Sequence, residues 1–273
     1  MGRATWYFAA ACLLLPMAAI ASASEPMGSI GGCHGAAITT VAEASGVRDG
    51  ATIGLKDGRV VRLAGIVAPT KFDGNGESAQ RATAALDAFV AGRRVVLHSA
   101  GNDPDRYGRT VAHVVVANEP ARWVQAALVN AGHARVLPGS GDPDCTKRLL
   151  ILERQARSLG RGLWSDAAFS VLKADSVPAA FVADGRFALV EAAVRRVGEA
   201  GGRLFLDFGR RHREDFTIVI PREAHASFAA AGVDLRALSG RRVRARGVLF
   251  SWGGPAMEVR DPGALELIEA DEG

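Results

Sequence analysis

The sequence predicts an α+β protein made mainly of short strands: an OB-like five-stranded barrel with helices, followed by a second OB-like β domain. Two patterns carry that prediction. Short apolar runs bounded by turn residues follow the order three strands, helix, two strands, and this order occurs twice along the 273 residues. Between the two occurrences lies "SVLKADSVPAAFVADGR", whose Pro, Gly and Asp content reads as a linker. With 48% hydrophobic and 23% charged residues the composition is that of an ordinary globular protein, which excludes disorder over most of the chain.

The N-terminus, "MGRATWYFAAACLLLPMAAIASA", joins one Arg, an apolar run from Trp6 to Ile20 broken by Pro16, and the small triplet Ala21-Ser22-Ala23. That pattern predicts a signal peptide over 1–23 and an exported protein, periplasmic or secreted, rather than a spanning helix. No later segment is long enough to span a bilayer. Losing Cys12 with the signal leaves Cys33 and Cys145, and in an oxidising compartment a lone pair is expected to bridge; two separate structural thiols stay open as the alternative. No CxxC or tight Cys/His cluster is present, so the sequence offers no zinc site.

A Gly-rich lead over 24–36 precedes strand-like segments at Ala37 to Ala42, Thr52 to Lys56 and Val60 to Ile66. The "KDGR" at Lys56 to Arg59 joins the last two as a hairpin, because Asp-Gly accepts the positive φ of a tight turn. "ESAQRATAALDAFVAG" places Ala84, Leu86, Phe89 and Val90 at near-helical spacing and stops at Gly92, which predicts a helix from Glu77 to Ala91. Strands follow at Arg94 to Ser99 and Thr110 to Ala117. Two helical patterns come next: "ARWVQAALVNAG", ending at Gly132, and "DCTKRLLILERQARSLGRG", opening on a capping Asp. After the linker, strands are expected at Phe187 to Val197, Leu204 to Phe208 and Phe216 to Ile220. The helix "REAHASFAAAG" and strands at Arg241 to Phe250 and Ala256 to Arg260 complete the second set. The divisions expected are therefore a barrel domain over 37–166, a linker over 167–184 and a second domain over 185–273.

The first of these resembles the staphylococcal-nuclease-like, or thermonuclease, family. The resemblance rests on "DGAT" (Asp49 to Thr52), "RLAGIVAP" (Arg62 to Pro69), "DRYGR" (Asp105 to Arg109), "WVQAALVNAGHARV" (Trp123 to Val136) and "GRGLWS" (Gly160 to Ser165), five weak strings in one order. It implies a calcium-assisted phosphodiester hydrolase acting on DNA or RNA. By motif matching, the two arginines that grip the scissile phosphate fall on Arg62 and Arg109. The tyrosine that touches the nucleotide falls on Tyr107, which read as a lone residue is as readily turn packing.

The acidic residues of that pattern are missing. Where the family carries calcium-binding aspartates this chain has Ala51 and Val67, and Thr70 stands in place of the glutamate that helps activate water. Calcium takes six to eight oxygens, which two aliphatic side chains and a hydroxyl do not supply. No cofactor is therefore expected, and a lost general base alone removes roughly a hundred- to ten-thousandfold in rate. Asp73 and Glu77, just beyond Thr70, are the carboxylates that could relocate the chemistry.

In the second domain "GRRVRARGVLF" sets Arg242, Arg244 and Arg246 on one strand face, opposite Val243, Ala245 and Gly247. Such a ladder fits a single-stranded nucleic acid, with Phe205, Phe208, Phe216 and Trp252 available to stack; it fits equally a solvated strand face. From Asp184 onward, basic and acidic residues are balanced at fourteen each, so the domain as a whole is not basic. The histidines at 98, 113, 133, 212 and 225 show no metal spacing. Three readings stay open: a degenerate thermonuclease that binds nucleic acid or another polyanion, an active nuclease with relocated carboxylates, and a non-enzymatic envelope binding module.

Overall fold

The computed structural model describes Gly2 and residues 38–73, 76–100, 104–117, 120–139, 142–210 and 214–268. The expected signal segment apart from Gly2, the lead over 24–36 and Cys33 lie outside the described residues. Among those described, no helix is long and apolar enough to cross a membrane.

The first half comprises β1 (Ile38–Asp49), β2 (Thr52–Leu55), β3 (Val60–Leu63), β4 (Ile66–Val67), α1 (Glu77–Val90), β5 (Arg94–Ser99), β6 (Thr110–Val116), β7 (Arg122–Trp123), α2 (Val124–Asn130), β8 (Arg135–Val136) and α3 (Pro143–Ser158). β1 pairs antiparallel with both β2 and β5, β5 pairs with β6, and a parallel pairing of β3 with β6 closes a five-stranded barrel. β1 can serve two neighbours because it is 12 residues long and bulged at Ala44/Gly46 and Val47/Asp49, which bends it around the barrel. The Asp-Gly hairpin forms as its residues require: Gly58 has φ 88° and Leu55 N–H donates to Arg59 O at 2.9 Å.

α1 lays Ser78, Ala82, Leu86 and Val90 on the barrel. Ala84, expected on that face, is instead exposed. α3 is capped by Asp142, whose carboxylate accepts from Asp144 N–H, with Pro143 at its first position; the cap lies two residues before the Asp expected from sequence. The strings "NAGH" and "GRGL" meet backbone to backbone. Leu163 N–H donates to Gly132 O at 2.8 Å, and a Cβ on Gly132 would lie 2.1 Å from Arg161 O, so only glycine fits.

The second half comprises β9 (Leu172–Lys173), α4 (Ala179–Ala183), β10 (Phe187–Ala193), β11 (Arg196–Ala200), β12 (Arg203–Asp207), β13 (Thr217–Ile220), α5 (His225–Ala230), β14 (Arg242–Trp252), β15 (Gly254–Glu258) and β16 (Leu265–Ile268). The strand expected from Phe187 to Val197 is two strands, broken where Val194 N–H bonds Arg241 O and Arg195 N–H bonds Asp207 O. The pairing order β11-β12-β13-β15-β14-β10 again includes a parallel contact, β13 with β15, in the place that β3 with β6 takes in the first half. β16, which pairs with β14, was not foreseen in the sequence.

The stretch read as a linker is built into the structure. β9 pairs in parallel with β10, and Phe169 and Ala174 are buried. Each half has its own core, one around Leu63, Leu86, Leu97 and Leu128, the other around Leu206, Ile218, Phe228 and Leu249. The halves meet through buried charge. Arg135 of β8 donates to Phe187 O at 2.7 Å with its guanidinium over the Phe169 and Phe187 rings. Arg246 of β14 pairs with Glu153 of α3 at 2.5 Å.

Candidate functional site

One cleft of about 1110 Å³ gathers Arg62, Arg109, Ala51, Val67 and Thr70. β3 supplies Arg62, the turn before β6 supplies Arg109, the turn after β1 supplies Ala51, β4 supplies Val67 and the turn after it Thr70. Residues from four separate stretches of chain thus meet where closure of the barrel brings β3 beside β6.

Arg62 is half-buried and fixed by the barrel itself. Its Nη1 donates to Ala51 O at 3.1 Å and its Nη2 to Ile66 O at 3.0 Å. Burial pushes its pKa below the ordinary value, Asp49 and Asp105 oppose that shift, and the like charge of Arg109 adds to it. Both guanidiniums line the one cleft, an arrangement that favours an anion between them.

Arg109 is held by Asp105. Its Nε donates to Asp105 Oδ2 at 2.8 Å, its Nη2 lies 2.7 Å from the same oxygen, and its backbone N–H takes Oδ1 at 3.0 Å. The hydrogen bond from Arg109 is the main reason that the Asp105 carboxyl titrates below the usual range. Gly108 allows this turn with φ 73°. Tyr107, at the turn's apex, is 65% exposed, and the guanidiniums of Arg106 and Arg109 lie 4.8 and 5.1 Å from its ring centre.

The positions matched to calcium ligands do not fit calcium. Ala51 is 1% exposed and packed, and its backbone oxygen is taken by Arg62. Gly50 beside it sits so close to α1 that a Cβ there would come within 2.8 Å of Ala82 Cβ. Val67 offers no side-chain oxygen. The Thr70 hydroxyl donates to Asp73 Oδ2 at 2.9 Å, and Thr70 N–H reaches the same oxygen at 2.7 Å. Among the described residues no group of three or more His, Cys, Asp or Glu side chains could hold a metal ion.

Neither Asp73 nor Glu77 is among the residues that line the cleft. Asp73 is 8% exposed and bound to Thr70, and its other oxygen lies 3.3 Å from Arg186 Nε of the second half. Glu77 lies on the exposed first turn of α1 near Arg81 and does not line the cleft. The charged residues that do line it are Arg48, Arg62, Lys71 and Arg109 against Asp49 and Asp87, so cations predominate.

Residues 60–166 match the family model of the staphylococcal nuclease homologues. No curated protein matches the chain. The protein thus carries a staphylococcal-nuclease-like domain, and the barrel extends beyond the matched stretch to include β1 and β2, with Asp49 and Ala51 at their turn.

The arginine ladder of β14 is not the open face expected of it. Arg246 is 2% exposed, between Glu153 and Glu266; Arg244 is 8% exposed, with Nη2 2.8 Å from Glu191 Oε2; Arg242 pairs with Glu191 Oε1 at 2.6 Å. Burial works to raise the Glu191 carboxyl, but the Arg244 hydrogen bond and the charges of Arg244, Lys173 and Arg242 outweigh it and hold the group below the usual range. The alternation read from sequence is real. On that face Arg244 and Arg246 are buried and paired with Glu191, Glu153 and Glu266, while Arg242 stays exposed beside Glu191.

Among the described residues the histidines form no metal centre, although His98 and His113 face one another across β5 and β6, both buried. Sequence reasoning missed Phe72 and Lys71, which line the cleft beside the arginines, Phe72 being 79% exposed. An aromatic next to a polar loop, with no apolar periodicity to bury it, was the available signal.

Proposed function

We propose that this is an exported thermonuclease-like protein that binds the phosphates of a nucleic acid through Arg62 and Arg109 and does not cut them by a calcium-assisted route. One observation carries the reading. The two arginines meet in one cleft while the three positions matched to the acidic residues present two aliphatic side chains and a hydroxyl already bound to Asp73. Planar guanidiniums suit bidentate contacts to phosphate oxygens, and both are fixed before a ligand arrives, Arg62 by backbone carbonyls and Arg109 by Asp105. Binding needs no more than this. Hydrolysis also needs water activated by a base or a metal; the positions matched to those roles carry Ala51, Val67 and Thr70, and the carboxylates that do line the cleft are Asp49, which accepts from Ala51 N–H, and Asp87 of α1.

Export is part of the same proposal, drawn from the apolar N-terminal run and its small-residue triplet. The two cysteines left after signal removal, Cys33 and Cys145, fit an oxidising compartment.

The test is fluorescence anisotropy of a labelled DNA oligonucleotide against salt, run beside a plasmid-cleavage assay in calcium, magnesium or chelator. Affinity should fall steeply with salt and with Arg109→Ala, because real phosphate contacts release counterions, and the plasmid should stay intact. Cleavage that requires calcium and is lost in Arg62→Ala would make the protein an active nuclease. Binding indifferent to salt and to Arg109→Ala would leave only a binding module of another kind.

A further inference from the structure

We propose that Phe72 is a base-stacking platform, so that the cleft takes single-stranded rather than duplex nucleic acid; this rests on the phosphate-binding reading above. Phe72 is the most exposed large apolar side chain among the described residues at 79%, and it stands in the wall of the cleft that holds Arg62 and Arg109. A ring so placed loses contact with water only when a ligand covers it. The ligand expected beside two phosphate-gripping arginines is a nucleotide, whose bases all present a flat face.

The charge around the ring fits. Lys71 Nζ lies 5.0 Å from its centre, so a cation that can move to a neighbouring phosphate accompanies the aromatic surface. Tyr107 is less able to serve, because it does not line the cleft and has two guanidiniums, those of Arg106 and Arg109, against its ring.

The loop carrying Phe72 is fixed on its inner side. Asp73 receives Thr70 N–H and Oγ1 and pairs with Arg186, and Asp73 N–H donates to Thr70 O at 3.0 Å, closing a tight turn that presents the preceding ring outward. A platform held in this way loses little freedom when a base stacks on it. α1 lines the same cleft with Gln80, Thr83 and Asp87, side chains that carry hydrogen-bonding groups. In a duplex the bases are stacked on one another and their faces are unavailable.

Three labelled probes test this: a single-stranded 12-mer of deoxyadenosine, an abasic 12-mer with the same phosphates, and a 12-base-pair duplex. The readout is the ratio of affinities for single strand over abasic strand. It should fall roughly 5- to 100-fold in Phe72→Ala, the range that loss of one base–aromatic stack gives, and recover in Phe72→Trp, whose fluorescence the single strand should quench. Arg109→Ala should weaken all three probes together and leave the ratio in place. A ratio unchanged in Phe72→Ala overturns the platform while the phosphate reading stands. If no probe binds the unaltered protein at low salt, both fall.

Discussion

Arg246, in the middle of β14, reaches out of the second half and places its guanidinium 2.5 Å from the carboxylate of Glu153, a residue of α3 with no exposed surface. Glu153 gives its other oxygen to Val136 N–H at 2.7 Å, and Arg246 also meets Glu266. Two charges have been taken out of water, and each depends on the other half of the chain.

Breaking that pair from one side should therefore be costly. Arg246→Met should lower the unfolding free energy by about 3–5 kcal/mol, because it strands a buried carboxylate. The double change Glu153→Gln with Arg246→Met should lower it less than Arg246→Met alone. Urea unfolding of the three proteins measures both, and a loss under about 1 kcal/mol for the single change would show the pair to be dispensable.

Calcium affinity should be restorable. The unaltered protein should give no calcium heat by titration calorimetry. Ala51→Asp with Val67→Asp and Thr70→Glu should create binding and some DNA cleavage, since the arginines are already in place. Arg109→Ala in that background should remove the cleavage. Because Ala51 is packed at 1% exposure and Thr70 Oγ1 bonds Asp73, the triple variant without calcium should also be less stable. Tight calcium binding by the unaltered protein would defeat the expectation.

Acid should weaken the fold through His113. Its side chain is fully buried, and burial first, then the charge of His98, lowers its pKa from 6.5 to about 4, with Asp142 opposing. The unfolded chain therefore takes up this proton at higher pH than the folded one. Stability contributed by the neutral ring is complete above about pH 6.5, declines as pH falls, and is lost by about 3 kcal/mol below pH 4. His113→Leu should flatten that part of the urea midpoint against pH curve; an equal slope in both proteins would assign the acid lability elsewhere.

Cys33 and Cys145 should be joined in the exported protein. Such a bridge would tie the mature N-terminus to the first turn of α3 and contribute up to about 4–5 kcal/mol in the chain-entropy view. Thiol labelling of unfolded, unreduced protein should find no free thiol after signal removal; two per chain would reject the bridge.

The barrel was legible because its signals are local: period-two apolar runs, an Asp-Gly turn, and glycines closing each helix. The positions of Arg62, Arg109, Ala51, Val67 and Thr70 were legible as well, since they sit in short ordered strings. What sequence could not give was the partner of each charge. Alternation along β14 marks Arg242, Arg244 and Arg246 as opposite the core but is silent on what lies over that face, and Arg246 meets Glu153 across 93 residues of chain. Asp73 offered the same ambiguity, a free base by its place beside Thr70, and a bound one once Arg186 is seen beside it.

The Asp73–Arg186 pair gives the cleft an owner outside its own lineage. The family match ends at residue 166, yet the turn that shapes one wall of the cleft is anchored by a side chain twenty positions further on. Ancestry and mechanics thus divide this chain at different places. A segment cut to the matched stretch would lose two strands of the barrel at its start and, at its end, the brace that sets the cleft wall, so the smallest piece able to display the native cleft is larger at both ends than the piece that descent alone would mark out.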